Sequence, residues 1–194
     1  GDVLSLYKAC YDGIQQCNTV LYYAQNGAAG NNVELRANEA KFLKAFYYYL
    51  LTQQIGGVPI SDEYIASVIT SFPRESQSAV YDYIIKLLKE VEEANVLPSE
   101  DHTGRVSMKA VYNLLAKVYL AYGWDADVTA GATGLAEGQA ANASDKSKFA
   151  LAAQYADKAI AGKTPTMSFS DMWDVANDNN DDIIFAIQYT RGIS

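Results

Sequence analysis

Residues 107–122, SMKAVYNLLAKVYLAY, and residues 149–160, FALAAQYADKAI, decide the fold. In the first, Val111, Leu114, Leu115, Val118 and Tyr122 recur three or four residues apart, the spacing of one face of an α-helix. Ala110 and Ala116 leave room for a close neighbour, and Tyr119 fills a wider gap. The second stretch repeats the device with Ala152, Tyr155, Ala156, Ala159 and Ile160. Small residues at a tight crossing and tyrosine at a wide one are what antiparallel helix pairs need. The expected fold class is therefore mostly α, a tetratricopeptide-like stack of helix pairs. Ser107 stands where an N-cap is required, and Gly162 with Pro165 stops the second helix.

Working outward, Val80, Ile84, Leu87, Leu88 and Val91 predict a helix over about 76–95. Leu35, Phe42, Phe46, Tyr49 and Leu50 predict another over about 32–55, with Ala37, Ala40 and Ala45 admitting a neighbour. Gly56-Gly57-Val58-Pro59 breaks it. The first helix, about 2–25, carries Tyr7, Cys10, Tyr11, Ile14, Cys17 and Leu21 and ends in the turn-forming residues 26–31. Residues 123–147, rich in Gly, Ala, Asn and Asp, form a connection longer than helix pairs normally use. Beyond the fifth helix, residues 170–176 suit a short helical turn, and residues 183–189, IIFAIQY, read as a short β-strand. At 194 residues the chain has material for one core.

The net charge of −8 repels phosphate backbones, which excludes nucleic acid as a partner. No stretch reaches the roughly 20 apolar residues of a membrane span, and an export signal is expected outside the sequence. Cys10 and Cys17 lie two helical turns apart, about 10 Å, too far for a disulfide. They read as buried small hydrophobes. The only histidine, His102, sits in a polar loop beside Glu100 and Asp101 with no recognisable nucleophile. Asp178, Asn180 and Asp182 open a calcium-loop pattern, but Ile183 and Tyr189 replace its glycine and closing glutamate. A solvated turn is the reading there. The expectations are no catalytic residue, no metal and no cofactor.

Four ordered stretches resemble the SusD/RagB family of outer-membrane nutrient-binding lipoproteins. Residues 38–50, NEAKFLKAFYYYL, running into Gly56-Gly57-Val58-Pro59-Ile60, are similar to the family's long helix and its Y-G-G-V-P ending, with Lys44 for Arg and Ile55 for Tyr. Arg74-Glu75-Ser76 with Val80-Tyr81 and Leu97-Pro98 form the second block. Gly104-Arg105 through Leu120 resembles the third, and Asp182 through Tyr189 the fourth. The resemblance implies a SusD-like α-solenoid scaffold that binds a glycan or other nutrient at the cell surface and performs no catalysis. The implied partners are a SusC-like TonB-dependent transporter and a polysaccharide or oligosaccharide. The implied location is the outer membrane, through a lipid anchor outside this sequence, since Cys10 lies within a helix. Family members are longer, so residues 1–194 are expected to be one helical domain lacking a C-terminal half. A free-standing tetratricopeptide-like adaptor for protein tails is the alternative function.

Sugar recognition needs exposed aromatic faces beside hydrogen-bonding groups. The glycan-binding candidates off the apolar stripes are Trp124 at the start of the long connection, Tyr64 and Phe72 between the second and third helices, and Trp173. Trp173 occupies a place where the family has an aromatic near the strand, so packing is its first reading. Tyr22, Tyr23, Tyr47 and Tyr48 read as helix-packing or surface residues.

Overall fold

In a computed structural model of the chain, residues 3–27, 29–67, 71–125, 146–177 and 180–187 are described. Five α-helices follow in order: α1 (Val3–Gln25), α2 (Val33–Ile55), α3 (Gln77–Ala94), α4 (Met108–Asp125) and α5 (Lys146–Ile160), then 3₁₀ turns at Asp171–Trp173 and Val175–Asn177. Each helix packs on the next in sequence. Lys41 pairs with Glu90 while Tyr48 meets Tyr83, so α2 and α3 run antiparallel. Tyr119 on Tyr155 and Trp124 on Phe149 show the same for α4 and α5. The coils are coupled as the alanine and tyrosine spacing requires.

One core runs through all five helices, from Ile14 of α1 through Phe42, Tyr48 and Leu51, then Val80, Ile84 and Leu88, to Val111, Leu115 and Ala152. The stripes read for α3 and α4 are buried as expected. That of α2 is not a single stripe. Its buried residues include Ala40, Phe42, Lys44, Ala45, Tyr48, Leu51 and Thr52, whereas Leu35, Phe46, Tyr49 and Leu50 are half-buried. The cause is that α2 is covered not only by α1 and α3 but also by the loop that Lys44 and Tyr48 hold and by Phe185 on Phe42 and Phe46, so burial goes round the helix.

The helix ends have chemical causes. Ser76 accepts a hydrogen bond from the Ala79 N–H at 3.0 Å and caps α3. Ser107 accepts from the Ala110 N–H at 3.3 Å and starts α4. At the end of α2, the Arg74 guanidinium donates to the carbonyls of Ile55 (2.9 Å) and Gly57 (2.6 Å), which would otherwise lack partners. Gly57 has no alternative there, since a Cβ would stand 2.1 Å from the Glu75 carbonyl oxygen.

The separated sequence blocks meet in space. Glu39 of α2 takes two bonds from Arg105 (2.9 and 2.6 Å) and one from Arg36 at 2.7 Å. Phe185 sets its ring edge-on against Phe42 and Phe46, at 5.4 and 6.3 Å. Here one expectation needs correction. Among the described residues, 183–187 form no strand but an irregular segment laid on the core. A strand needs a ladder partner, and no other described segment forms one. Residues 188 and 189 lie outside the described residues.

Cys10 and Cys17 are both buried and free, as read. Burial pushes the Cys17 thiol up to about 11, with only partial relief from Lys44, so it behaves as an inert hydrophobe.

Candidate functional site

The four aromatic residues chosen from the sequence fall at different places. Trp124, at the end of α4, is exposed and leans on Phe149 of α5 at 5.4 Å. The segment of the long connection that follows, 126–145, lies outside the described residues. Trp173, first read as a packing residue, is 72% exposed and meets an equally open Phe169 edge-on at 6.0 Å. Phe72 is exposed on the loop between α2 and α3. Tyr64, on the same loop, is the one that joins a larger group.

Its ring stacks on Tyr22 at 4.8 Å with 26° between planes, and Tyr23 stands 6.3 Å away, itself 5.3 Å from Tyr22. Between 37% and 52% of each of these three residues is exposed. Tyr22 and Tyr23 close α1, one helical step of about 100° apart, so they cannot both face the core. That was the sequence signal for an open aromatic pair. Beside Tyr23, the turn between α1 and α2 forms an open groove of about 510 Å³ lined by Thr19, Val20, Asn31, Asn32 and Arg36, among others.

Tyr64 holds its place because the chain before it is bolted to the helices. Tyr11 donates to the Pro59 carbonyl at 2.6 Å, and the Gln15 amide donates to the Ser61 hydroxyl at 2.7 Å. Asn18, buried in α1, donates to the carbonyls of Ser61 (3.1 Å) and Glu63 (2.9 Å). The Ser61 N–H donates to the Tyr48 hydroxyl at 2.7 Å. Lys44, whose side chain is wholly buried, donates to the Asp62 carboxylate at 2.9 Å and to its carbonyl at 3.2 Å. Tyr83 donates to the same carboxylate. Burial alone would raise the Asp62 carboxyl, but the Tyr83 hydroxyl and the Lys44 ammonium outweigh it and hold it below its ordinary value. Burial lowers Lys44, and Asp62 offsets only part of that. Sequence reading missed this bracket, because a lysine in a helix normally reads as solvated.

A second cleft, about 190 Å³, lies between the loop before α4, the end of α5 and residues 181–184. Lys109 and Lys163 both pair there with Glu100, and His102 stands 3.5 Å from Asp181. The carboxylate of Asp182 accepts the backbone N–H groups of Thr166 and Met167, both at 2.8 Å, and closes a turn. Asp178, the first residue of the calcium-like pattern, lies outside the described residues. Among the described residues no group of three or more His, Cys, Asp or Glu is arranged to hold a metal ion. No described helix is long and apolar enough to cross a membrane.

The geometry is that of a helical shelf with open rings at several places. A SusD-like family model, described as "Starch-binding associating with outer membrane", matches residues 1–120. The chain belongs to the SusD-like family. Solved structures agree with that membership. A SusD superfamily protein from Parabacteroides distasonis superposes with a TM-score of 0.78 at 28% identity, over 95% of this chain and 37% of that one. Surface glycan-binding protein A from Bacteroides uniformis gives 0.75 at 25% identity, over 96% of this chain and 38% of that one. Surface glycan-binding protein A from Bacteroides thetaiotaomicron, solved in complex with laminarihexaose, shares the fold at 21% identity and a TM-score of 0.68, over 90% of this chain and 32% of that one. This SusD-like chain thus spans under two fifths of the length of those relatives. No curated protein matches it significantly in sequence.

Proposed function

We propose that this chain is the helical scaffold of a cell-surface glycan-binding protein that works with a TonB-dependent outer-membrane transporter in saccharide uptake. The match of a starch-binding, outer-membrane-associating family over residues 1–120 carries the reading. The fold relative holding laminarihexaose supports the ligand class. Exposed tyrosine and tryptophan rings on a rigid helical body support it physically, because rings fixed before a ligand arrives lose little freedom on binding. The role is capture without turnover: the scaffold holds a saccharide while the transporter moves it. A lipid anchor at the outer membrane and a SusC-like partner complete the proposal.

Isothermal titration of the purified chain with laminarihexaose, maltohexaose and cellohexaose tests the ligand class. Binding of at least one without release of shorter sugars is the expected result. Failure of all three, together with failure to co-purify a barrel transporter from cells producing the whole protein, refutes the proposal.

A further inference from the structure

Tyr22, Tyr23 and Tyr64 are half-exposed and belong neither to the buried core nor to the residues packed on it. They are brought together from the end of α1 and from a loop some forty residues further along. The loop is not free to wander. Its preceding residues, Pro59 to Glu63, are held by side chains of all three helices α1, α2 and α3. The cluster is therefore a preorganised aromatic surface.

Its surroundings define an occupant. Next to Tyr23 the groove joins apolar side chains such as Val20 and Val33 to Asn31 and Asn32, whose amides can exchange hydrogen bonds with neutral hydroxyls, while the Thr19 hydroxyl already donates to the Gln15 carbonyl at 2.8 Å and can only accept. The one charged group lining it, Arg36, bonds at 2.7 Å to Glu39, a carboxylate it shares with Arg105. The chain as a whole carries −8, which works against polyanions. Ring faces beside amides suit an uncharged sugar: its C–H face lies on a ring and its hydroxyls meet the amides.

We infer that the Tyr22–Tyr23–Tyr64 cluster and the groove at the α1–α2 turn together form a subsite for an uncharged oligosaccharide. This rests on the glycan-binding reading above and adds the place and the charge class of the ligand. The other open rings are weaker candidates. Trp173 ends a short 3₁₀ turn and Phe169 precedes it, and the chain around them is held by short side chains close in sequence, Ser168 and Asn177, and by the Asp182 carboxylate.

The test is a nuclear magnetic resonance titration of the whole chain with tyrosine rings labelled. The probes are laminarihexaose, maltohexaose and cellohexaose, with an oligogalacturonide as the charged counterpart. A neutral hexaose should shift the ring resonances of Tyr22, Tyr23 and Tyr64. Tyr64→Ala and Tyr23→Ala should each weaken binding about tenfold, whereas Tyr64→Phe, which keeps the ring, should stay within about threefold. Equal unfolding midpoints for the variants rule out a folding defect. If a hexaose binds while the three rings stay silent and Tyr64→Ala binds normally, the subsite is wrong and the glycan-binding reading stands. If the oligogalacturonide binds best, the uncharged class is wrong. If no probe binds anywhere on the chain, the subsite falls, and the function proposed above falls with it only when the whole protein also fails to co-purify a barrel transporter.

Discussion

The pairing of Lys44 with Asp62 is lopsided, and the lopsidedness makes a prediction. The lysine side chain is 0% exposed while that of the aspartate is 54% exposed. Replacing Lys44 by Met removes a charge-assisted hydrogen bond of about 1.5–3 kcal/mol. It also removes the penalty of several kcal/mol for keeping an ammonium dry. The orphaned carboxylate can turn to water and retains the Tyr83 hydroxyl. The net cost of Lys44→Met should not exceed about 1 kcal/mol. Asp62→Ala is the opposite case. It strands a buried ammonium without its counter-ion, a class of change that costs about 3–5 kcal/mol.

The two variants should also differ in their pH response. Burial holds the Lys44 ammonium below its ordinary value, and without Asp62 nothing in the pair offsets that. The unfolded chain then binds the proton more tightly than the folded one, so stability rises with pH toward the ordinary lysine value of about 10.4. Between pH 6.5 and 9, the gap separating Asp62→Ala from the parent should narrow as pH rises. In the double variant Lys44→Met/Asp62→Ala that narrowing should vanish. Urea unfolding followed by circular dichroism at the two pH values measures all of this. If Lys44→Met costs as much as Asp62→Ala, or the Asp62→Ala deficit ignores pH, the bracket does not work as described.

Three further outcomes follow from the same structure. Ser76→Ala removes the cap of α3 and should cost about 1 kcal/mol in urea unfolding. Gly57→Ala forces a Cβ to within 2.1 Å of a backbone carbonyl and should cost about 3 kcal/mol or prevent folding. Glu92 is raised by burial but pulled down further by Lys158, Lys89 and Tyr155, to about 2. Its folded value lies below the unfolded one, so its contribution is complete above about pH 4.5 and is lost as pH falls toward 2. The parent should lose on the order of 2 kcal/mol over that window, and Glu92→Gln should lose measurably less across it.

The parts legible in the sequence were those decided locally. The α3 and α4 stripes lie on helices with one dominant buried face, and Ser76 and Ser107 cap through bonds three residues long. The illegible parts were decided by distant partners. Covered on several sides, α2 has no single stripe to read. Lys44 is buried by a loop eighteen residues further on, and nothing near it in sequence announces that. Tyr22 acquires its meaning from Tyr64, forty-two residues away. Trp173 reads as packing because the family resemblance places an aromatic near the strand there, yet its described ring contact is with the equally open Phe169. The β-rich run 183–187 has strand propensity without a ladder partner among the described residues, and propensity yields to context.

The residues that carry the family resemblance do a different job from the open rings. Glu39 with Arg105 ties α2 to the loop before α4, Arg74 closes the end of α2, and Phe185 lays the last described segment on Phe42. All of these are clamps at the bases of loops. Between the clamps stand residues 60–67 and 71–73 and the turn residues 26–27 and 29–32, which present Tyr64, Phe72 and the amides of Asn31 and Asn32. Tyrosine serves both parts. In Tyr11, Tyr48 and Tyr83 the hydroxyl engages the loop from below, while in Tyr22, Tyr23 and Tyr64 the ring is offered outward. A scaffold divided this way can change what its loops present without loosening the clamps that hold them. Arg74→Ala should accordingly lower the free energy of unfolding by about 1–3 kcal/mol for the lost charge-assisted bonds, while leaving the order of preference among bound hexaoses unchanged. A reversal of that order in Arg74→Ala would show that clamp and platform are one unit.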